Sequence, residues 1–526
     1  MTMDPIARGL DSGWSVQDAS LLDKNIDLEA DVVIIGTGAG GGITAEILSN
    51  AGYEVVMVEE GPLKSSSHFH MKESEAYPQL YQDASARTTR DKAITILQGR
   101  CVGGSTTVNW TSSFDTPDQT LNHWQKVHGI EGHRPEEMAP WFNQVRKRLN
   151  INPWPIEPNP NNAALIRGTQ AMGWSHGIMD RNVSGCLNLG YCGMGCPVNA
   201  KQSMLVTTIP AALERGARLF TRTRAWTLSH KNNRVDGLVC RAMDGNGVKP
   251  TGILIHIRAK RYILAGGSIG SPALLLRSKA PDPAELIGRR TFLHPVNLCL
   301  AVMPEKTEPF SGAPQSVYSD QFLWPEDDQM GFKIEAPPIH PLLTSTIIGW
   351  HGPAHRALIE KLPYLQGILT LGRDGFNPQS QGGRAVIDGD GNPGLDYPLN
   401  DYLFNLMRRA YACMVELQFA AGAVEVYPIH AHITQPLKSW KDAKKSVQNL
   451  EMAPLLTKIF SAHVMGGCPM GGDPKHSVVD QNLQHHQLEN LSIFDGSVFP
   501  TSIGANPQVS IYALVSKNAT KLAENI

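Results

Sequence analysis

The segment Asp31-Val-Val-Ile-Ile-Gly-Thr-Gly-Ala-Gly-Gly41 decides the fold class of this chain of 526 residues. Its first half is a continuous apolar run, which is typical of a strand buried on both faces of a parallel sheet. The glycine-rich turn precedes a predicted helix over 43–51, and the apolar run 54–59 predicts a second buried strand. A strand, a helix and a strand in this order predict a βαβ unit and therefore an α/β protein.

The turn itself predicts a dinucleotide site. Gly36, Gly38 and Gly41 fit the pattern G-x-G-x-x-G, in which glycines let backbone N–H groups approach a pyrophosphate at the helix N-terminus. Glu59 follows about twenty positions later, where a carboxylate can accept both hydroxyls of a ribose. The alternative is a tight glycine turn without a ligand. The pattern alone does not choose between FAD and NAD.

Composition excludes several classes of function. The chain has 47 Lys and Arg against 49 Asp and Glu, so no global field attracts nucleic acid or anionic lipid. No apolar run reaches the roughly 18–20 residues of a membrane helix. Residues 1–28 lack the basic stretch and apolar core of a secretory signal. We therefore expect a cytoplasmic protein, with peripheral membrane association or export with a partner as alternatives.

The length predicts two domains, because a single core stops growing at roughly 250–300 residues. The region 309–460 is rich in proline and aromatic residues and alternates apolar with polar positions, for example over 331–336. This pattern predicts an antiparallel sheet. We expect a Rossmann-like nucleotide-binding domain assembled from 28–308 and 461–526, and a substrate-binding α+β domain over 309–460.

Three further motif regions are separated along the chain. They are Gly99-Arg-Cys-Val-Gly-Gly-Ser-Thr-Thr-Val-Asn-Trp110; Ala265-Gly-Gly-Ser-Ile-Gly-Ser-Pro-Ala-Leu-Leu275 with Gly288-Arg-Arg-Thr-Phe-Leu-His-Pro295; and His463-Val-Met-Gly-Gly-Cys-Pro-Met470 with Asp495-Gly-Ser-Val-Phe-Pro500 and Asn506-Pro507. Together with the glycine turn, these motifs resemble the glucose–methanol–choline (GMC) oxidoreductases, which are FAD-dependent alcohol oxidases and dehydrogenases. The segments 331–341, 372–375 and 419–423 are most similar to long-chain fatty-alcohol oxidases.

The resemblance implies which residues contact FAD. Beyond the glycine turn and Glu59, it assigns the following positions to the cofactor: Gly103, Gly104, Ser105, Asn109, Asp495, Gly496, Asn506 and Pro507. Family members that attach FAD covalently do so through a histidine, and Val108 stands at that position here. Since valine cannot form the bond, we expect the FAD to be bound non-covalently.

The resemblance also implies a catalytic pair. Oxidation of an alcohol requires removal of the hydroxyl proton while the hydride leaves, and the motif singles out His463 as the base for this step. Asn506 would donate a hydrogen bond to the same oxygen. We expect the remaining histidines of the motif regions, His294, His476, His485 and His486, to be structural or on the surface. The apolar composition of 309–460 favours a hydrophobic primary alcohol as the substrate.

A cysteine cluster leaves the electron acceptor open. Cys186, Cys192 and Cys196 lie close together among glycines, and their spacing resembles that of iron–sulfur sugar dehydrogenases of the same family. An iron–sulfur cluster here would indicate an FAD sugar or polyol dehydrogenase that passes electrons to a cytochrome-type partner or small subunit. The alternative is three thiols, or one disulfide, that pack a loop near the flavin. Zinc is disfavoured because no fourth ligand is evident nearby.

Overall fold

The computed structural model describes residues 4–525 as a mixed α/β protein, which confirms the predicted fold class. The helices are α1 (Pro5–Asp11), α2 (Ala39–Asn50), α3 (Glu73–Leu80), α4 (Ser105–Val108), α5 (Asp118–His128), α6 (Pro135–Arg148), α7 (Pro160–Met172), α8 (Thr208–Glu214), α9 (Gly267–Arg277), α10 (Pro341–Ile348), α11 (Gly352–Ile359), α12 (Asp401–Ala420), α13 (Trp440–Gln448) and α14 (Gln508–Ala523). The strands are β1 (Val16–Asp18), β2 (Ile26–Ile35), β3 (Val55–Val58), β4 (Ile94–Ile96), β5 (Ser112–Ser113), β6 (Ile151–Pro153), β7 (Gly177–Ile178), β8 (Asp180–Asn182), β9 (Arg218–Thr221), β10 (Thr223–Lys231), β11 (Arg234–Met243), β12 (Pro250–Leu264), β13 (Arg289–Leu293), β14 (Val296–Val302), β15 (Val317–Phe322), β16 (Phe332–Glu335), β17 (Leu365–Gly372), β18 (Gly383–Ile387), β19 (Pro393–Asp396), β20 (Glu425–Pro428), β21 (Ile459–Ser461), β22 (Val464–Gly466) and β23 (Leu491–Ile493).

The first large sheet contains the predicted βαβ unit. Its strand order is β1-β9-β3-β2-β12-β11-β10, with β23 paired to β12, and β2 is parallel to both β3 and β12. The apolar run of β2 is buried because α-helices cover the sheet. Helix α2 begins at Ala39, earlier than the predicted residue 43, because glycines form its first turn. A Cβ atom on Gly40 would lie 1.6 Å from the carbonyl oxygen of Phe494, so only glycine lets the helix approach so closely.

The second large sheet is mostly antiparallel, as predicted. Its order is β4-β21-β14-β17-β16-β15-β7, with β20 paired to β14. Strands β4, β7 and β14 come from the range 28–308, so the chain passes between the two sheets several times. One face of this sheet packs against α12 through residues such as Ile334 and Ile368. The opposite face carries Leu369 and Leu371, and α10 and α11 cover part of it.

Two smaller sheets complete the fold, with the orders β19-β18-β13-β22 and β5-β8-β6. The antiparallel pair β13–β22 joins Leu293 to Val464, and His294 N donates to the carbonyl oxygen of His463. This pairing therefore brings two distant motif regions side by side. None of the helices described in residues 4–525 has the length and apolarity needed to span a membrane.

Candidate active site

A cavity of about 660 Å³ lies between the first sheet and the uncovered end of the second. Its walls include the glycine turn after β2, the start of α14 and one face of the antiparallel sheet. The predicted site residues that line it are Gly36, Gly38, Glu59, Gly104, Ser105, Asn109, His463, Asp495, Gly496, Asn506 and Pro507. Gly41 and Gly103 do not line it.

The glycine turn leaves open space where a pyrophosphate would bind. Gly38 precedes the first residue of α2, and a Cβ atom there would meet only the Cα atom of Gly104, at 3.9 Å. Gly41 differs, since a Cβ atom there would lie 2.0 Å from the carbonyl oxygen of Gly36. This glycine permits helix α2 to pack on the strand that precedes it, and its contact with the cofactor stays a prediction.

Gly103 also contacts other protein residues and does not line the cavity. Its N–H donates to the hydroxyl of Thr37 at 3.1 Å, and so it joins the second motif to the glycine turn. Glu59 lines the cavity and holds the same turn, because its carboxylate accepts from Thr37 N (3.0 Å), Thr37 Oγ1 (2.6 Å) and Gly61 N (3.0 Å). Burial raises the pKa of Glu59, and these hydrogen bonds oppose that rise. An open cradle at a helix N-terminus fits a dinucleotide.

Asp495 connects two of the motif regions. Its Oδ2 accepts from Gly267 N at 2.8 Å and from the Ser271 hydroxyl at 2.6 Å, both at the start of α9. In the second motif, Asn109 Nδ2 donates to Gln508 Oε1 at 2.7 Å. Gln508 lines the cavity but was missed in the sequence, although it directly follows the Asn506-Pro507 pair. Val108 lines the cavity as well.

The rings of His463, which is half-buried, and His294, which is fully buried, contact each other. Their Nδ1 atoms are 3.0 Å apart, and Gly504 N donates to His294 Nε2 at 3.2 Å. Burial lowers the pKa of His463 to about 4, and burial together with the neighbouring His463 and Lys333 lowers the pKa of His294. Both rings are therefore neutral near pH 7. We expected His294 of the Gly288–Pro295 motif to be structural or on the surface; it is fully buried and its ring contacts that of His463.

Glu335 is a second residue that the sequence did not reveal. It lies on β16, is fully buried and lines the cavity, and Asn506 Nδ2 donates to its Oε2 at 3.4 Å. Glu335 Oε1 and Asn506 Oδ1 have no hydrogen-bond partner within residues 4–525. Burial raises the pKa of Glu335 to about 7, against the opposing effect of nearby Lys333. The sequence did contain a signal for this residue, because Lys333 and Glu335 are charged residues at alternate positions of the otherwise apolar strand β16.

The three cysteines are free thiols in the structure. In the described part of the chain, no group of three or more His, Cys, Asp or Glu side chains is placed to hold a metal ion, so the iron–sulfur prediction receives no geometric support. Lys201 instead ties the cysteine loop to the second motif. Its buried Nζ donates to the carbonyl oxygens of Thr107, Asn109 and Cys192, each at 2.7 Å.

A dinucleotide cradle that opens onto neutral histidines and a buried carboxylate defines a nucleotide-dependent oxidoreductase. The chain belongs to the GMC oxidoreductase family, whose N-terminal model matches residues 77–296 and whose C-terminal model matches residues 380–514. It is accordingly an FAD-dependent oxidoreductase that acts on alcohols.

Several individual proteins are similar to this chain in sequence or in structure. The chain is 28% identical to a GMC-type oxidoreductase of Sinorhizobium fredii over 95% of both chains. It is 27% identical to a long-chain-alcohol oxidase of Arabidopsis thaliana, over 94% of this chain and 69% of the plant protein. Among solved structures, pyridoxine 4-oxidase from Mesorbium loti superposes with a TM-score of 0.70 at 17% identity, covering 94% of this chain and 99% of that one.

Proposed function

We propose that the protein oxidises a hydrophobic primary alcohol to the aldehyde, with FAD bound non-covalently in the cavity. When bound there, FAD would accept the hydride from the carbinol carbon. The observation that carries the proposal is the composition of the cavity wall. His463, Asn506 and Glu335 are polar residues of the cavity wall, and the wall also includes an apolar sheet face.

The apolar face argues for the substrate class. Val296, Leu369, Leu371 and Phe460 line the cavity, and the pairs Val296–Leu371 and Val296–Phe460 place them on one side of the sheet. The same face continues beneath α10 and α11 as a hydrophobic cluster. A sugar would need hydrogen-bonding partners where these side chains stand, whereas an alkyl chain needs only burial. The long-chain-alcohol oxidases among the relatives support this choice.

His463 and Asn506 are the groups proposed to hold the alcohol oxygen. His463 is half-buried because one side of its ring faces the cavity, and its Nδ1 is occupied by His294. Nε2 is therefore the nitrogen available to substrate. Asn506 stands at the start of α14 on the same wall. His463 is proposed to act as the base that removes the hydroxyl proton, and Asn506 to donate a hydrogen bond to the same oxygen.

The proposal is tested by anaerobic mixing of the purified yellow protein with alcohols. We expect straight-chain primary alcohols to bleach the flavin absorbance, with a lower KM as the chain lengthens, and glucose to have no effect. Reoxidation in air with measurement of hydrogen peroxide identifies the acceptor in the same experiment. Bleaching by glucose but not by alkyl alcohols would overturn the substrate class, and no bleaching by any alcohol would overturn the proposed function.

His463→Ala should lower the rate of flavin reduction by about 100-fold, because the alcohol oxygen loses its hydrogen-bonding partner. The FAD content should stay the same. The matched control is His476→Ala, because His476 is largely exposed in the same C-terminal region. A His463→Ala protein with the wild-type rate would remove this residue from the site.

A further inference from the structure

Two buried cations lie beside the cysteine cluster and have no acidic partner. Arg181 and Lys201 are both almost completely buried. Within residues 4–525 their hydrogen bonds go to hydroxyl, carbonyl and sulfur atoms, and none goes to a carboxylate. Burial of a charge without an opposite charge nearby is costly, so an anionic group is expected beside these two side chains.

The contacts of Arg181 identify the atom that can carry the negative charge. Its Nε donates to the Thr111 hydroxyl at 2.8 Å, and its Nη2 donates to the carbonyl oxygen of Trp110 at 3.4 Å and to Cys192 Sγ at 3.6 Å. Nη1 has no hydrogen-bond partner among the described residues, and the ring centroid of Trp154 lies 4.6 Å from Cζ. Of the groups that accept from Arg181, only the thiol can lose a proton and become an anion.

Lys201 adds a second positive charge to the same loop. Its Nζ donates to the carbonyl oxygen of Cys192 at 2.7 Å. Burial lowers the pKa of Lys201 to about 8, and the nearby thiols of Cys192 and Cys196 oppose this change. Both cysteines and Cys186 are partly exposed. A positive charge beside a partly exposed sulfur favours the thiolate, which is the form that reacts with peroxides.

Cys186 is the thiol that stands ready to react with an oxidised Cys192. Its Sγ accepts from Asn188 N at 3.4 Å. Burial raises the pKa of Cys186, and Cys192 raises it further, more than Cys196 does, which indicates that Cys192 is the nearer of the two thiols. The cysteines outside this cluster are buried except Cys413, which lies on α12 and whose pKa burial raises to about 12.

We infer that Cys192 is a site of oxidation by hydrogen peroxide and that it forms a disulfide with Cys186. In the first step the Cys192 thiolate attacks one peroxide oxygen, so that an S–O bond forms, the O–O bond breaks, and the hydroxide that leaves takes up a proton to become water. The sulfur loses two electrons and the peroxide gains them. In the second step the Cys186 thiol attacks that sulfur, the S–S bond forms, the S–O bond breaks and a second water leaves.

The reaction is coupled to the cofactor cavity through the two cations. A disulfide carries no charge, so oxidation removes the anion beside Arg181 and Lys201. Arg181 also bonds to Trp110 and Thr111, and Lys201 bonds to the carbonyl oxygen of Asn109. These three partners line the cavity, so we expect oxidation to weaken the binding of FAD.

Peptide mapping of the FAD-loaded protein tests the assignment of the disulfide. Protein with all thiols reduced is treated with a small excess of hydrogen peroxide and then cleaved after Tyr191, which separates Cys186 from the other two cysteines of the cluster. We expect the two fragments to stay joined until a reducing agent is added. Cys196→Ser and the control Cys413→Ser should keep this bond, and Cys192→Ser should lose it. Fragments that separate in the wild type, or that stay joined in Cys192→Ser, would overturn the assignment.

Chemical labelling tests the reactivity of Cys192 and the role of Arg181. A limiting amount of iodoacetamide should label Cys192 at least about tenfold faster than Cys413 in the wild type. In a variant with both Cys186→Ser and Cys196→Ser, peroxide should leave a sulfenic acid on Cys192 that dimedone traps. The same trapping should be at least about tenfold slower when Arg181→Gln is added than when Arg181→Lys is added. If the Arg181 variants do not fold, the wild-type comparison decides, and equal labelling of Cys192 and Cys413 would refute the inference.

Titration of FAD into reduced and oxidised apoprotein tests the coupling to the cavity. The dissociation constant of FAD should rise by at least about threefold on oxidation and return after reduction, and peroxide should not change it in Cys192→Ser. Equal affinity of the reduced and oxidised wild type would show that the loop is not coupled to the cofactor. Iron bound by these cysteines in anaerobically purified protein would overturn the inference as a whole.

Discussion

Alanine substitutions in the glycine turn should separate binding of the cofactor from stability of the protein. Both Gly38 and Gly41 belong to the G-x-G-x-x-G pattern, but only Gly38 borders the cavity. At Gly38 the backbone φ is −70°, which alanine adopts without strain, and the added Cβ atom meets no protein atom closer than 3.9 Å. Gly38→Ala should therefore leave the apoprotein as stable as wild type, or more stable by up to about 1 kcal/mol.

The same methyl group enters the space of the pyrophosphate, where backbone N–H groups must come within hydrogen-bonding distance. We expect Gly38→Ala to weaken FAD binding by at least tenfold, which corresponds to about 1.4 kcal/mol. At Gly41 the added atom would lie 2.0 Å from the Gly36 carbonyl oxygen, so the helix must move away from its strand by more than 1 Å, on the order of the overlap. Such overpacking typically costs about 1–3 kcal/mol.

The assay is thermal unfolding of apoprotein and of protein with added FAD, together with titration of FAD into the apoprotein. Gly41→Ala should lower the unfolding midpoint of the apoprotein, whereas Gly38→Ala should lose mainly the stabilisation that added FAD provides. Gly245→Ala, in an exposed turn where a Cβ atom meets nothing within 4 Å, is the control. Undiminished FAD affinity in Gly38→Ala would refute the assignment of the cradle.

Two further predictions concern the surroundings of the cofactor. Acid precipitation should release all the flavin as FAD into the supernatant, because Val108 cannot bond to it, and yellow colour that stays in the washed pellet would contradict this. Lys201→Met should lower both the FAD content and the unfolding midpoint, because three carbonyl groups lose their hydrogen-bond donor at roughly 1–3 kcal/mol each. Removal of a buried charge offsets part of this cost. Values like those of the exposed control Lys441→Met would show that the contacts of Lys201 are dispensable.

The sequence signals for the nucleotide half of the site are local. A strand, a glycine turn and a helix follow each other within 26–50, and the glycines there other than Gly38 have no room for a side chain. Even there, the structure adds a packing reason for Gly41 that the pattern alone does not reveal. The pattern indicates that position 41 has no room for a side chain, but it does not show which neighbouring atoms a side chain would overlap.

The reacting half was harder to predict because its signals are not local. His294 reaches His463 only through the pairing of β13 with β22, and Glu335 reaches Asn506 only through the position of β16 in the second sheet. The cysteine cluster is a different case, because its spacing suggests a metal site that receives no geometric support in residues 4–525. Its spacing was suggestive, but spacing does not fix where side chains point, and the structure uses Lys201 to anchor that loop instead.

The alternation of side chains along β17 has a consequence for how substrate range is set. Leu369 and Leu371 face the cavity, whereas Ile368 packs on the α12 side of the same strand. A change of size at the first two positions alters the room for an alkyl chain without disturbing the packing under α12. The cradle stands on a different sheet. If the proposed function is right, the fold would let this wall vary in size without changes to the cradle.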